Sequence, residues 1–283
     1  MGGRGLPEGP EIRRVADKVG RVLNGQTLTS VRAPWANLAQ YESLWLGLHV
    51  ISVRPRGKAL LTQFSNGDIL YSHNQLYGRW LTRKTHKQPS SNRSLRLALS
   101  TQEGSVYLYS ATDIQVLREG ELAGHPYLSQ LGPDVLDSEL KVVEISRRLK
   151  DSHYRNRQLG TLLLDQNFLA GPGNYLRSEI LFESRLHPRT KPSQLDAKQR
   201  TSLSRNILKI CRRAYEHQGV TLEPELAKRL KKQGQKKRQY RHYVFSRRGQ
   251  SCRLCETEVI RFDISSRAVF VCPECQSLPG DSP

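Results

Sequence analysis

The chain has 283 residues, with 45 Lys and Arg against 26 Asp and Glu and a formal net charge of +19. This length exceeds one small core, and a hydrophobic content of 37% is enough for packed domains, so we expect two or three domains and not a disordered polymer. Every apolar run is far shorter than the roughly 18 residues of a membrane span, which excludes an integral helical membrane protein. The excess positive charge indicates a polyanionic partner, nucleic acid first and an anionic membrane surface second.

The first predicted element is a helix that begins almost at the N-terminus. Pro7 precedes a segment, Glu8 to Asn24, in which apolar residues recur at helical spacing, and Gly25 is a natural stop. Proline suits the first helical position, and acidic side chains favour the positive end of a helix dipole. The opening sequence is therefore consistent with an ordinary helix start.

Short β-rich runs replace the helical periodicity from about Val50 to Asp113. Four strands are predicted, at Ala59–Phe64, Ile69–His73, Leu95–Ser100 and Val106–Ser110. Asn66-Gly67, between the first two strands, is a strong hairpin signal. Several strands separated by turn signals predict an antiparallel sandwich or barrel.

A small helical domain is predicted after the hinge-like sequence Gly132-Pro133-Asp134. Its four predicted helices are Ser138–Leu149, Leu159–Phe168, Tyr175–Leu186 and Leu195–Tyr215. Between Lys228 and Arg248, ten residues are Lys or Arg and none is Asp or Glu. Because like charges repel, we expect this run to be a mobile basic linker until an anionic partner neutralises it.

Four of the five cysteines are clustered near the C-terminus. Their pattern is Cys252-x2-Cys255-x16-Cys272-x2-Cys275, in which two knuckles can close four thiolates around a tetrahedral ion. We expect one structural zinc ion, because four thiolates leave no open position for chemistry. Strands are predicted at Val259–Phe262 and Ala268–Val271, with Ser265, Ser266 and Arg267 at the exposed tip of the hairpin. The N-terminus lacks an apolar signal-peptide core, which favours a cytoplasmic, reducing location.

Several motifs together resemble the formamidopyrimidine-DNA glycosylase and endonuclease VIII family of base-excision repair enzymes. The motifs are Pro-Glu-Gly-Pro-Glu at 7–11, Arg-Gly-Lys-Ala-Leu-Leu at 56–61, Tyr-Ser-His-Asn-Gln-Leu-Tyr-Gly at 71–78, Leu-Leu-Asp-Gln-Asn-Phe-Leu-Ala-Gly-Pro-Gly-Asn-Tyr-Leu-Arg at 163–177, and the cysteine hairpin. Each motif is weakly specific, whereas the ordered set is highly specific. The His-Asn-Gln-Leu-Tyr-Gly stretch is similar to the endonuclease VIII branch.

The resemblance implies a bifunctional glycosylase and lyase that flips an oxidised base, chiefly a pyrimidine, out of damaged double-stranded DNA. It assigns the nucleophile to Pro7, whose secondary amine forms an iminium with the opened sugar. It assigns a proton shuttle to Glu8, which requires partial burial, and support of the elimination to Lys58. Arg267 matches the family's zinc-finger arginine, which grips phosphates and assists the second elimination.

The resemblance also implies DNA-binding residues. Gln75, Leu76 and Tyr77 match residues that fill the space left by the flipped base. Asn174 is expected both as an ordinary helix N-cap and as part of a helix start whose amides bind phosphate. Gln130 stands where related enzymes often carry an arginine, so we expect one weaker phosphate contact there.

The expected fold is α+β and multidomain. It comprises an N-terminal helix with an antiparallel β-sandwich, a helix-two-turn-helix domain, and a C-terminal zinc-finger β-hairpin. The predicted divisions are an N-terminal extension at 1–6, the sandwich at 7–131, the helical domain at 132–227, the basic linker at 228–248, and the zinc finger with its tail at 249–283. We expect a monomer with no membrane partner, associated with the nucleoid when bound to DNA.

Six residues precede Pro7, and they bear directly on the chemistry. Inside a chain the proline nitrogen belongs to an amide, and its lone pair is delocalised, so it cannot form an iminium. We expect Leu6 to occupy the position of the family's initiator methionine, so that the working chain begins at Pro7. Two alternatives stay open: a catalytically silent DNA-binding protein on the same scaffold and, with the resemblance set aside, a zinc-ribbon protein that binds RNA.

Overall fold

The computed structural model describes residues 7–278. The chain divides into two compact units. We call them the helical unit, which comprises Met1–Pro10 and Leu131–Pro283, and the sandwich unit, which is Glu11–Gln130. The predicted N-terminal extension, with Leu6, and the last five residues lie outside the described residues.

The sandwich unit contains two four-stranded antiparallel sheets. The strands are β1 (Ser30–Arg32), β2 (Val50–Arg56), β3 (Ala59–Phe64), β4 (Ile69–His73), β5 (Arg79–Arg83), β6 (Leu95–Thr101), β7 (Gly104–Tyr109) and β8 (Asp113–Leu117). One sheet has the order β1-β6-β7-β5 and the other the order β2-β3-β4-β8. The helices are α1 (Gly9–Leu23), of which all but the first two residues belong to this unit, and α2 (Tyr41–Trp45).

The main apolar core of the sandwich unit combines residues of both sheets. Leu60, Phe64 and Leu70 contribute from one sheet, and Leu97 and Leu108 from the other. The apolar face of α1 joins the same core through Ala16, Val19 and Leu23. The predicted N-terminal helix and antiparallel sandwich are therefore confirmed.

The Asn66-Gly67 turn forms the predicted hairpin between β3 and β4. Gly67 adopts a φ of 87°, and the Asn66 side chain accepts a hydrogen bond from the Asp68 amide at 3.0 Å. Asp68 in turn accepts a hydrogen bond from the buried Trp45 indole at 2.8 Å. The turn is thus fixed locally by Asn and Gly chemistry and anchored to the core by one polar contact.

The helical unit has its own core, built from α3, α4, α5 and α6. Its elements are α3 (Val142–Lys150), α4 (Leu159–Leu162), α5 (Asn174–Glu183), α6 (Ala197–Glu216), α7 (Pro224–Lys232), α8 (Lys237–Tyr240), β9 (Ile260–Ile264) and β10 (Arg267–Val271). The two strands form an antiparallel hairpin. Within residues 7–278, every helix is too short or too polar to span a bilayer.

One predicted helix, Leu159–Phe168, is wrong in length because only its first turn is helical. The Asp165 side chain accepts a hydrogen bond from the Asn167 amide at 2.8 Å, which replaces a helical bond with a local turn. Phe168 and Leu169 are buried all the same. Their burial explains why the apolar pattern continues past the end of the helix.

The basic segment at 228–248 differs from the expected mobile linker. It contains the second half of α7 and all of α8, and Tyr243 and Val244 are buried in a core with Cys252 and Cys272. The high positive charge of the segment predicts mobility, and this prediction is wrong because some of its basic side chains donate hydrogen bonds to backbone carbonyls of the same protein. Arg241, for example, donates to the Gly219 carbonyl at 2.8 Å. As a domain boundary, the segment remains a prediction.

Candidate active site and metal centre

The Glu8 carboxylate lies against the amino end of α5, within the helical unit. Its Oε2 accepts hydrogen bonds from the amides of Gly173 at 2.7 Å and Leu176 at 3.3 Å, and its Oε1 accepts from the Tyr175 amide at 2.8 Å. The side chain is only 3% exposed. These amides and the helix dipole stabilise the carboxylate form of Glu8. The burial that the sequence analysis requires of Glu8 is present.

Two glycines allow the N-terminal segment to approach α5 this closely. A Cβ added at Gly173 would lie 2.5 Å from Glu8 Cδ, and one added at Gly9 would lie 2.9 Å from Gly171 Cα. The Gly9 amide also donates to the Gly171 carbonyl at 2.8 Å. Residues 7–9 and 171–173 therefore fit together only because these positions lack side chains.

The expected role of Asn174 as the N-cap of α5 is wrong by one residue. Gly173 is the N-cap, and Asn174 is the first helical residue. The expectation that the helix-start amides bind phosphate also needs correction, because the Glu8 carboxylate already accepts from three of them. An anion supplied by the chain itself occupies the positive end of the helix.

Asn174 is instead oriented by Arg177, one helical turn later. The Arg177 Nη2 donates to Asn174 Oδ1 at 2.6 Å and to the Ala268 carbonyl at 2.6 Å, and its Nη1 donates to the Gly160 carbonyl at 3.0 Å. Arg177 is fully buried. One guanidinium therefore connects the start of α5, the start of α4 and strand β10.

Arg177 is not among the site residues predicted from the sequence, although it is the last residue of the motif at 163–177. A charged residue three positions after a site residue on a helix lies on the same face, and this signal could have identified it. Burial lowers the pKa of Arg177 to about 10, with a further lowering from nearby Arg267 and an opposing effect of Glu8. The guanidinium thus stays charged at neutral pH.

Arg267 lies where the sequence analysis places it, at the exposed tip of the β9–β10 hairpin. Ser265 and Ser266 form the two-residue turn, with φ values of 49° and 61°. The Arg267 carbonyl lies 3.4 Å from Arg177 Nη2, and the Ser265 hydroxyl lies 3.2 Å from the Thr161 hydroxyl on α4. These contacts hold the hairpin tip against α4 and α5, and the Arg267 residue is exposed.

The helical unit therefore brings together three of the predicted site residues, Glu8, Asn174 and Arg267, around Arg177. Pro7 is half-buried and directly precedes Glu8. A secondary amine at this position would be next to a buried carboxylate. Such an arrangement suits a nucleophile, a proton-transfer group and a phosphate-binding group.

Lys58 belongs to the sandwich unit, in the turn between β2 and β3. Gly57 precedes it with a φ of 59°, and the Lys58 amide donates to the Tyr127 hydroxyl at 2.9 Å. The residue is half-buried. The backbone that presents the amine is therefore held by a glycine turn and a side-chain hydroxyl.

Gln75, Leu76 and Tyr77 form a turn after β4, which we call the wedge loop. Leu76 and Tyr77 are each 67% exposed, which is unusual for side chains of this size. The Tyr77 carbonyl accepts from Arg93 at 2.6 Å, and the Gln75 side chain accepts from the Thr112 hydroxyl at 3.1 Å. The loop thus displays two apolar side chains on a fixed backbone.

Gln130 is exposed at the end of a single 3₁₀ turn, Leu128–Gln130, in the sandwich unit. Its predicted phosphate contact stays a prediction.

The four clustered cysteines lie close enough to hold a metal ion. Their sulfur atoms are all within 4.8 Å of one another, and two of the four are buried. The Cys275 amide points at Cys272 Sγ at 3.4 Å, as expected for an amide that stabilises a thiolate. Buried Gln276 accepts from the Cys272 amide at 3.1 Å and donates to the Leu186 carbonyl at 3.0 Å. The donor set and its supporting bonds fit a structural metal site.

Glu179 anchors the chain between the helices and the cysteine cluster, and the sequence analysis missed it. Its carboxylate accepts from the amides of Tyr243, Val244 and Phe245 at 2.8 to 2.9 Å and from the Thr221 hydroxyl at 2.6 Å. Burial raises its pKa, and these bonds oppose that rise. A single residue of α5 therefore holds the last part of the basic segment.

Comparison with known proteins places these features in one family. The formamidopyrimidine-DNA glycosylase N-terminal domain matches residues 6–113, and the formamidopyrimidine-DNA glycosylase H2TH domain matches residues 131–225. Proteins named Endonuclease 8 from Salmonella arizonae and Pectobacterium atrosepticum are 45% and 43% identical to this chain. Each match covers 96% of this chain and all of the relative.

Solved structures show the same fold. A complex of Lactococcus lactis Fpg with DNA that contains an abasic site has a TM-score of 0.77 at 20% identity, and a complex of the same enzyme with DNA that contains an oxidised pyrimidine has a TM-score of 0.78 at 20% identity. Both matches cover 96% of this chain and all of the other. The fold class inferred from the sequence is thereby confirmed. With full-length relatives above 40% identity, the chain belongs to the formamidopyrimidine-DNA glycosylase and endonuclease VIII family.

Proposed function

We propose that this protein is a bifunctional DNA glycosylase and AP lyase of base-excision repair that releases oxidised bases, mainly pyrimidines, from damaged double-stranded DNA. Family membership and the relatives named Endonuclease 8 support this assignment. The observation that carries it is the position of Glu8, a buried carboxylate bonded to the start of α5 and directly preceded by Pro7.

The proposed chemistry begins at the Pro7 nitrogen. Its lone pair attacks C1′ of the damaged nucleotide, the bond from C1′ to the base breaks, and the base leaves with a proton. Transfer of a proton to O4′ through Glu8 opens the sugar and leaves an iminium between Pro7 and C1′. The iminium acidifies the C2′ protons, so loss of one expels the 3′ phosphate, and a further elimination expels the 5′ phosphate. Water then releases the sugar fragment and restores the amine.

Two basic residues assist the eliminations in this proposal. Lys58, presented by its turn in the sandwich unit, supports the elimination steps. Arg267, exposed on the hairpin tip, binds a phosphate through its planar guanidinium and assists the second elimination. The carboxylate form of Glu8 is stabilised by amide donors, which suits a group that first accepts a proton and then passes it on.

The mechanism requires a free amine at Pro7, so we infer that the working chain begins there. The match to the N-terminal domain of the family begins at residue 6, which supports Leu6 as the equivalent of an initiator methionine. With residues 1–6 attached, the nitrogen is an amide and the chemistry stops. A working chain that kept residues 1–6 would favour the second candidate, a DNA-binding protein without catalysis.

We further propose that Cys252, Cys255, Cys272 and Cys275 hold one structural zinc ion. The ion, when bound, supplies a rigid tetrahedral crosslink for a segment with little apolar core of its own. Metal analysis of the purified chain should give about one zinc per chain, as expected for a single closed site. A Cys272→Ser variant that keeps full zinc and full stability would contradict the site.

The DNA contacts are proposed from the exposed residues of each unit. The wedge loop fills the space left by the flipped base, while Gln130 and Asn174 bind the backbone of the damaged strand. We infer that the protein acts as a monomer in the cytoplasm, associated with the nucleoid when bound to DNA. If about six phosphates are neutralised, the logarithm of the binding constant should fall with the logarithm of salt concentration with a slope near −5.

The deciding experiment compares the chain that begins at Pro7 with the chain that retains residues 1–6. Both are incubated with borohydride and duplex DNA that contains one oxidised pyrimidine. We expect a covalent adduct and strand cleavage only with the Pro7 chain. If neither form traps or nicks DNA that both forms bind, the non-catalytic DNA-binding alternative is correct. If neither form binds the duplex, the assignment to damaged DNA fails.

Intact mass of the protein purified from its natural source tests the start site separately. A mass that corresponds to Pro7 at the terminus supports the inference. A native protein that retains Met1 or Gly2 contradicts it.

A further inference from the structure

His73, the last residue of β4, has no role in the mechanism above, yet it touches both functional segments of the sandwich unit. Its Nδ1 accepts a hydrogen bond from the Gln75 amide at 3.1 Å, at the start of the wedge loop. Its ring packs edge-on against Tyr127, with ring centres 5.3 Å apart. Tyr127 in turn accepts from the Lys58 amide. One imidazole thus lies between the wedge loop and the Lys58 turn.

The bond to Gln75 holds a strained point of the backbone. Gln75 has a φ of 46°, in the left-handed region that a residue with a side chain rarely occupies. An acceptor two residues earlier is the usual way to stabilise such a turn. Closure of the loop also uses the Gly78 amide, which donates to the Asn74 carbonyl at 2.7 Å. Without the imidazole acceptor, the Gln75 conformation loses its most direct support.

The bond exists only while Nδ1 carries no proton. A protonated imidazole has a hydrogen on both nitrogens and would direct an N–H at the Gln75 N–H. Burial lowers the pKa of His73 from 6.5, the Lys58 charge lowers it further, and Asp113 on the adjacent strand acts in the opposite direction. Tyr71 and Tyr127 also face this region, and burial raises the pKa of Tyr71 far above 10.0, so it stays neutral. The imidazole is therefore neutral at neutral pH, and it takes up a proton only at a pH below its ordinary pKa.

We propose that His73 is a positioning residue that sets the wedge loop for base extrusion. This inference rests on the proposed function of the loop, because a loop that fills the gap in DNA must be ordered before the base leaves. Neutral His73 keeps Gln75 in its turn and keeps Leu76 and Tyr77 projecting. Protonation breaks the bond and releases the loop, so base release should fall less steeply in acid when the acceptor at position 73 cannot take up a proton.

Two substitutions of His73 distinguish the effect of its hydrogen-bond acceptor from the effect of its ring packing. In His73→Asn, Oδ1 can accept from the Gln75 amide in an Asx turn but cannot take up a proton. In His73→Leu, the ring volume is partly kept and the acceptor is lost. His86→Asn is the control, because His86 is another histidine of the sandwich unit, exposed and away from the wedge loop in sequence, with its Nδ1 3.0 Å from the Ser105 hydroxyl.

The first measurement is amide hydrogen exchange of residues 74–78 in the free protein, which needs no activity. Because a hydrogen bond contributes about 1 kcal/mol, His73→Leu should exchange about fivefold faster than the wild type at pH 7.5. His73→Asn and His86→Asn should exchange like the wild type. Equal exchange in wild type and His73→Leu would overturn the inference whatever the protein does to DNA.

The second measurement uses the chain that begins at Pro7. A 2-aminopurine placed opposite an oxidised pyrimidine in a duplex reports gap filling, and a single strand with a preformed abasic site reports lyase chemistry alone. His73→Leu should slow the fluorescence change about fivefold at pH 7.5, as for one lost hydrogen bond, and leave nicking of the single strand unchanged. His73→Asn should match the wild type at pH 7.5, and its rate of fluorescence change should fall less than that of the wild type as the pH is lowered below 6.5.

Equal slowing on both substrates, or equal loss in His73→Asn and His73→Leu, would show that the ring acts only as packing. If the wild type fails to nick the abasic strand, the proposed function fails, and the exchange experiment still decides the role of His73.

Discussion

Glu8 Oε2 lies 2.7 Å from the backbone nitrogen of Gly173, although 165 residues separate the two in the chain. This contact fixes the carboxylate beside Pro7 and uses the positive end of α5 to do so. The proposed proton-transfer group is therefore positioned by backbone amides. Its geometry depends on the main chain at 173–176.

Glu8→Gln tests this dependence. An amide oxygen can accept from part of the set, but the NH₂ group faces backbone N–H donors, so we expect a loss of about 1–3 kcal/mol in the free energy of unfolding. Base release should fall at least about 100-fold if Glu8 transfers the proton. Urea unfolding and single-turnover base release measure the two effects. A variant with wild-type release would remove Glu8 from the mechanism.

Gly173→Ala displaces the same carboxylate without changing any charge. The added Cβ would lie 2.5 Å from Glu8 Cδ, so either Glu8 or the start of α5 must move. We expect a destabilisation of about 1–3 kcal/mol, typical of overpacking, together with loss of trapping activity. Gly120→Ala is the control, because a Cβ there meets nothing within 4 Å. Equal activity in the two variants would contradict the close packing.

Arg177→Met removes the buried guanidinium and leaves the carbonyls of Gly160 and Ala268 without their donor. Unpaired buried acceptors should lower the free energy of unfolding by about 2–3 kcal/mol. Arg177→Lys keeps the positive charge but loses the planar set of guanidinium donors, so its free energy of unfolding should lie between those of the wild type and Arg177→Met. Chemical unfolding of both variants tests this. We also expect a higher KM for DNA with a smaller change in kcat, because Asn174 and the hairpin tip lose their common support.

Arg267→Ala should leave the fold intact, since the side chain is exposed at a turn. The second elimination should slow by about tenfold or more, the value of one charged hydrogen bond, while base release changes less. Denaturing gels separate the product of one elimination from that of two. Equal slowing of both steps would contradict the assigned role of Arg267.

His242 makes stability depend on pH. Its ring is buried against Tyr175, and its Nδ1 lies 3.1 Å from the Thr221 hydroxyl. Burial, and next the charge of Arg241, lower its pKa well below 6.5. Below pH 6.5 the unfolded chain therefore binds a proton at this histidine, whereas the folded chain does not. The free energy of unfolding decreases as the pH falls, by up to about 1.4 kcal/mol per pH unit.

Urea unfolding between pH 7.5 and 5 measures this slope. A His242→Gln variant should have a flatter dependence than the wild type, although its stability at pH 7.5 is lower. Parallel curves for the two proteins would show that another group carries the proton.

Local chemistry explains what the sequence could predict. The Asn66-Gly67 hairpin and the four cysteines are set by residues close in the chain, and their patterns identify them directly. The Glu8 contact and the Gly160 and Ala268 contacts of Arg177 join distant segments, and no local pattern encodes such partners. The N-cap error at Asn174 has the same cause, because the acceptor that satisfies the start of α5 comes from the N-terminus.

In the basic segment at 228–248, a clear local pattern leads to a wrong prediction. Its net charge predicts self-repulsion, but the charge count does not include the Glu179 carboxylate, which binds three successive amides at 243–245. Residues that are acidic and buried elsewhere in the chain thus decide whether a basic run is ordered.

The distance along the chain between Glu8 and α5 also sets the order of events on the ribosome. At about 5–20 residues per second, roughly 8–33 s pass between synthesis of Glu8 and synthesis of its amide partners. During that time Glu8 has no α5 amides to bind. The contact between Glu8 and α5 therefore forms only after more than half of the chain has been synthesised.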